Sequence, residues 1–268
     1  MALTAGSKVR SAMLIVAHPD DDAYALAGSV ALHAADPEFR FVLVHATDGA
    51  AGEIPPGFPA TRESLGAVRR GECRNAWRAL GRVPDRHVWL DYADGAVSEV
   101  PFEELVSRIA ALLDEEHPDV VATFGPDGIT GHPDHITVGL AADEAFHRGR
   151  AAGSPGLRRL LHGALKASTF ERWNAARVRA GKEAWDPSRV YHLRGVPDEL
   201  IGLEVDTTVV ADRIVAGLSQ HRSQLHLISD PTRSAANWRR TVGREFFVVA
   251  WPPRTSDDPV LHDSFEGL

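Results

Sequence analysis

Residues 13–22 read Met-Leu-Ile-Val-Ala-His-Pro-Asp-Asp-Asp, an unbroken apolar run that ends in a histidine, a proline and three acids. An apolar run without polar alternation is the pattern of a strand covered on both faces, as parallel strands are. The charges that follow cannot continue into a core, so the strand ends near Ala17 and leaves its polar residues at its carboxyl end. Outward from this point the pattern repeats. Residues 23–35 carry helix formers at helical spacing, and 39–46 read as a second strand. Residues 67–80 form a helix closed by Gly81 as a C-cap. A short strand follows at 87–90, then an amphipathic helix at 102–116 that Pro118 stops. A buried strand at 120–124 and a helix at 134–148 complete the first half. Alternating strands and helices predict an α/β fold: a Rossmann-like, mostly parallel sheet flanked by helices, with a smaller C-terminal lobe packed on it. Ligands bind such folds beyond the carboxyl ends of the strands. The segments after Ala17, Ala46, Leu90 and Phe124 are therefore the ones to watch.

The second half is less regular. Residues 150–156 read as a surface link, 205–210 as a strand, 211–224 as a helix, 245–250 as a last strand, and 252–259 as a loose tail. Residues 151–197 carry no readable pattern. The 268 residues are read as one domain over 1–268, with its Rossmann-like part at about 10–150 and the lobe at about 151–255. Net charge is −8, which argues against nucleic acid as a partner. Cys73 is the single cysteine, so no intrachain disulfide can form. No apolar run approaches the roughly 20 residues that span a bilayer. Residues 11–17 are a short apolar stretch, but they run straight into charges and are read as a strand, not a leader. These features predict a cytoplasmic protein with no membrane partner. Homo-oligomerisation is left open.

Two tetrapeptides fall in the segments that the fold singles out. His18-Pro19-Asp20-Asp21 follows the first strand, and His132-Pro133-Asp134-His135 follows the strand ending at Phe124. Each supplies imidazole and carboxylate together on a proline-stiffened turn. Two histidines and one aspartate make a three-ligand zinc site with a position open for water, whose proton the cation loosens. His18, Asp21 and His135 suit that role, one ion per chain. Asp20, beside the ion, suits a general base. His132 suits a donor to an oxyanion or to a leaving amine. Asp134 and Asp22 would orient ligands from behind, although Asp22 also sits where an acid favours a helix start. A third copy, His117-Pro118-Asp119, ends a helix and enters a strand, and it reads as structural. Within the long loop at 47–65, a potential lid, Asp48 would orient a ligand or contact substrate, or simply build a turn. Arg69 would hold a sugar hydroxyl or carboxylate, or pair with Glu72 on its own helix. Cys73 and His221 read as packing residues.

The residues AHPDDD at 17–22, TDGAAGE at 47–53, Arg69 with Glu72, and GPDGITGHPDH at 125–135 resemble the PIG-L/LmbE-like de-N-acetylase family. HRSQ at 221–224 and REFF at 244–247 resemble its C-terminal pattern. The resemblance implies a Rossmann-like fold, a divalent metal that is commonly zinc, and hydrolysis of an N-acetyl group from an N-acetylglucosaminyl small molecule. It places ligands on His18, Asp21 and His135, the base on Asp20, the auxiliary histidine on His132 and a substrate contact on Arg69. The family's first motif usually ends in Glu, where this chain has Asp22. Two other functions fit the residues. One is an amidase acting on larger thiol-sugar S-conjugates. The other is a non-catalytic sugar or nucleotide binding protein, although no G-x-G-x-x-G follows the first strand.

Overall fold

The computed structural model describes residues 10–228, 234–255 and 257–268. Strand β1 (Arg10–Val16) holds Met13, Leu14, Ile15 and Val16 at 0% exposure. Each such side chain contributes roughly 1.5–3 kcal/mol on burial, which is why this run lies at the centre of the sheet. It pairs in parallel with β2 (Phe39–His45) on one side and β4 (Val120–Phe124) on the other. The seven-stranded order is β3-β2-β1-β4-β5-β7-β6, where β3 is Arg86–Trp89, β5 Arg159–Ala164, β6 Leu203–Asp206 and β7 Arg244–Trp251. The first five are parallel, and β7 runs antiparallel to both β5 and β6. The order reverses between β1 and β4, so their carboxyl ends flank the switch-point crevice where α/β sheets take ligands.

The expected helix at 23–35 is two helices, α1 (Asp21–Ala25) and α2 (Ala27–Leu32). The buried Glu245 carboxylate causes the break. It accepts from the Gly28 and Ser29 amides at 2.6 and 2.9 Å and from Ser29 Oγ at 2.6 Å, so a new helix start forms on it. Helix α3 (Leu65–Leu80) ends at left-handed Gly81, and α4 (Phe102–Glu116) at left-handed His117. The third His-Pro-Asp is thus a C-cap at the far end of β4 from the site, and Asp119 binds Ser11. After the short turn α5 (Gly128–Gly131), α6 (Pro133–Ala152) is longer than expected at both ends. Its last turn takes up part of the predicted link, and Gly153 caps it.

Residues 151–197, unread in the sequence, contain β5 and α7 (Ala167–Arg179). The expected strand at 205–210 stops at Asp206, because its partner β7 begins at Arg244 opposite it, and a 3₁₀ turn takes over at Thr208–Val210. The expected helix at 211–224 ends earlier, as α8 (Ala211–Leu218). Ser223 beyond it is bound to Glu72 on α3, which pulls the chain out of helical register. Two short helices follow, α9 (Leu225–Ile228) and α10 (Ala235–Val242). The tail at 252–259 is largely exposed, with Ser256 outside the described residues. The chain then docks again. Leu261 bridges to Leu203, Phe265 packs on Phe39, and Arg159 donates to the Ser264 and Glu266 carbonyls.

Candidate metal centre

The two tetrapeptides meet at the switch point. His18 Nδ1 lies 3.2 Å from His135 Nε2. One Asp21 carboxylate oxygen is 3.3 Å from His18 Nδ1, and the other is 3.3 Å from His135 Nε2. Donor pairs on a tetrahedral ion with bonds of about 2.0–2.1 Å stand about 3.3–3.4 Å apart, so these three side chains fit one small cation. The ring nitrogens facing away are already used. His135 Nδ1 points at the Gly128 carbonyl, 3.0 Å away. His18 Nε2 points at Asp94 at 3.0 Å and Asp134 at 3.3 Å. With a cation bound, those acceptors would keep the protons on the outer nitrogens and leave the inner nitrogens to the ion. Asp134 is fully buried and is itself held by the Gly95 and Val97 amides.

The electrostatics follow from this crowding. Burial disfavours a charged His18, but the carboxylates of Asp134, Asp21 and Asp94 outweigh it and raise its pKa well above the usual imidazole value. Burial likewise opposes ionisation of Asp21, and attraction by His135 and His18 overcomes it, keeping Asp21 charged well below the usual range. Asp20 behaves in the opposite way. Burial, reinforced by the neighbouring Asp21 charge, lifts its pKa to about 7 although Arg69 opposes the shift. His132 is pushed down to about 4 by burial and by repulsion from His18 and His135. Its ring stacks on His135 at 4.8 Å, and its Nδ1 accepts from the Asp134 amide at 3.1 Å as the N-cap of α6.

Asp20 occupies a left-handed backbone position, φ 111°, which costs a non-glycine residue about 1–3 kcal/mol and persists only where neighbours enforce it. Two residues do so. Asp22 accepts from the Asp20 amide at 3.0 Å, from His45 Nε2 at 3.2 Å and from the Trp77 indole. Arg69 donates to the Pro19 carbonyl at 2.6 Å, to Asp20 Oδ2 at 3.1 Å and to the Gly49 carbonyl at 2.8 Å. Arg69 is 5% exposed and does not pair with Glu72, which binds Ser223 instead. Asp48 turns toward the Ala50 amide and Arg70. The 47–53 segment is fastened by Asp94 on Ala51, Arg62 on the Gly52 carbonyl and Gln224 on the Glu53 carbonyl.

Sequence reasoning missed Asp94, although it lies in the flagged segment beyond β3, because a lone DG pair reads as a turn. His221, read as a packing residue, is buried as that reading expects. That residue is 1% exposed, and its Nε2 has no partner among the described residues.

A parallel sheet that gathers imidazoles and carboxylates at its switch point defines a class of α/β protein with a candidate metal site. Within it the chain belongs to the PIG-L family, described as GlcNAc-PI de-N-acetylase, whose model matches residues 13–146. It is 31% identical over 279 residues to a 1D-myo-inositol 2-acetamido-2-deoxy-alpha-D-glucopyranoside deacetylase of Saccharomonospora viridis, across 96% of this chain and 100% of that one. In fold it is similar to the N,N'-diacetylchitobiose deacetylase of Pyrococcus horikoshii, with TM-score 0.58, 20% identity, and coverage of 90% of this chain and 83% of that one. It is also similar to a 4-carboxy-2-hydroxymuconate hydratase of Pseudomonas putida, with TM-score 0.62, 19% identity, and coverage of 93% and 100%. One fold thus carries a deacetylase and a hydratase, so the fold by itself fixes no reaction. No helix among the described residues is long and apolar enough to cross a membrane.

Proposed function

We propose that the chain is a zinc-dependent N-deacetylase that hydrolyses the acetamide of an N-acetylglucosaminyl small-molecule conjugate, releasing acetate and a free amine. The observation that carries this reading is the triangle of His18 Nδ1, His135 Nε2 and the Asp21 carboxylate, with edges of 3.2 and 3.3 Å. These three side chains would hold the ion, and Asp94 and Asp134 fix the His18 ring behind it. When bound, such an ion supplies Lewis acidity toward a carbonyl and makes a water acidic.

The remaining chemistry belongs to the chain. Asp20, adjacent to Asp21, is the general base, and it returns the proton to the departing amine. His132 is a hydrogen-bond donor. Its Nδ1 is used as an acceptor by the Asp134 amide, so the neutral ring carries its proton on Nε2, available to an acyl oxygen. Arg69 and Asp22 keep Asp20 in its left-handed conformation, so Arg69 acts by positioning the base more than by reaching for the sugar. Asp48 shapes the fastened loop. The likeness to the inositol glycoside deacetylase supports an amino-sugar substrate.

The test is a free-amine assay over a panel of N-acetylglucosaminyl conjugates, with and without a chelator and with zinc restored. Amine release that the chelator abolishes is expected. Its absence on every member would remove the reading. Asp20→Asn is expected to lower kcat about 10²–10⁴-fold with metal content unchanged.

A further inference from the structure

We propose that Tyr191 forms the sugar-facing wall of the site, an aromatic platform for the pyranose ring of an amino-sugar substrate. The inference rests on the deacetylase reading and adds a residue and a contact that the reading does not contain. Tyr191 is 71% exposed, the most exposed aromatic side chain among the described residues. It nevertheless has a fixed address. Its ring meets the His132 imidazole at 5.1 Å with the planes at 81°. Its backbone is left-handed, φ 65°, a conformation that a bulky residue keeps only where the surroundings enforce it.

The enforcing contacts lead back to the metal centre. The Arg194 amide donates to the Ile129 carbonyl at 2.8 Å. The Gly128 carbonyl one residue earlier holds His135 Nδ1. Ile129 is itself left-handed, φ 64°, so one strained turn carries both the arm of Tyr191 and the orientation of His135. Two residues further along the same side of the arm, Val196 exchanges backbone hydrogen bonds with Leu165 and Ala167 at 2.8 Å. An exposed aromatic ring, anchored this firmly beside a donor histidine, offers an apolar face at low entropic cost. A pyranose ring presents a matching face of C–H groups. The ring would then lie over Tyr191 while its acetamide reaches His132 and the ion.

The experiment compares Tyr191→Ala and Tyr191→Phe with the wild type, using N-acetylglucosamine as probe in steady-state kinetics and in calorimetric binding. Tyr191 is exposed, so the variants should fold, which a melting curve checks. The platform predicts that Tyr191→Ala raises KM and Kd about 3- to 10-fold, with kcat within about twofold. Tyr191→Phe keeps the ring and should match the wild type. Unchanged KM and Kd in Tyr191→Ala would overturn the proposal, and so would a Phe variant as impaired as the Ala variant. Failure of the wild type to deacetylate any probe would instead strike the deacetylase reading, while the binding comparison would still judge the platform.

Discussion

The main-chain N–H of Asp20 donates to the Asp22 carboxylate at 3.0 Å, so the residue assigned as base hangs on the residue where the first motif departs from its family. Asp22 is fully buried and also receives His45, Trp77 and the Cys73 thiol. Its side chain is thus filled by donors on every side. Asp22→Glu adds a methylene that pushes the carboxylate out of register with these donors and should cost about 1–3 kcal/mol. Asp22→Asn turns N–H groups toward existing donors and should cost a similar amount. Urea unfolding of both variants checks this, and unchanged midpoints would show that the pocket tolerates either group.

Arg69 spans two carbonyls and one carboxylate with a planar fork that lysine lacks. Arg69→Lys should therefore lower kcat roughly tenfold or more with KM nearly unchanged, because the base loses its brace. The opposite split, a raised KM with normal kcat, would assign Arg69 to substrate binding instead.

His87 is held neutral. Burial, and then the neighbouring His45, push its pKa from the ordinary 6.5 to about 3. The folded value is depressed, so its contribution to stability is complete above pH 6.5. The contribution declines as pH falls toward about 3, because only the unfolded chain takes up the proton. Urea midpoints measured from pH 7 down to pH 4 should fall more steeply for the wild type than for His87→Gln. Parallel slopes would contradict the assignment.

Glu245 ties β7 to the start of α2 through three hydrogen bonds from Gly28 and Ser29. Glu245→Ala strands three buried donors and should destabilise by about 2–5 kcal/mol. Ser29→Ala removes one donor and keeps the carboxylate paired, at a cost of about 1 kcal/mol. Equal losses in the two variants would mean that the carboxylate is not the hub.

Much of the site was legible because its chemistry is concentrated in short motifs. His18, Asp20 and Asp21 follow one strand, and His132, Asp134 and His135 follow another, so finding the strands located the candidate ligands that the fold brings together. Asp94 was hidden because its partner, His18, is 76 residues away in sequence. Tyr191 was hidden for the same reason, in a stretch with no periodicity to read. Arg69 was visible as a candidate but not in its contacts: its spacing puts it on the stripe of Leu65, Cys73, Ala76 and Leu80 that α3 buries, while its acceptors, Pro19, Asp20 and Gly49, lie far away in sequence.

The sequence alone determined the central parallel strands, because unbroken apolar runs such as 13–17 have no other place than a doubly covered sheet. It also determined which side chains could serve as ligands, since side-chain donors are fixed by residue type. The tertiary structure decided the rest: the break between α1 and α2, the brace on Asp20, and the outward partners that fix each imidazole proton. Those depend on groups far apart in the chain meeting in a water-poor crevice, where an unpaired donor is costly and only the folded packing supplies its acceptor.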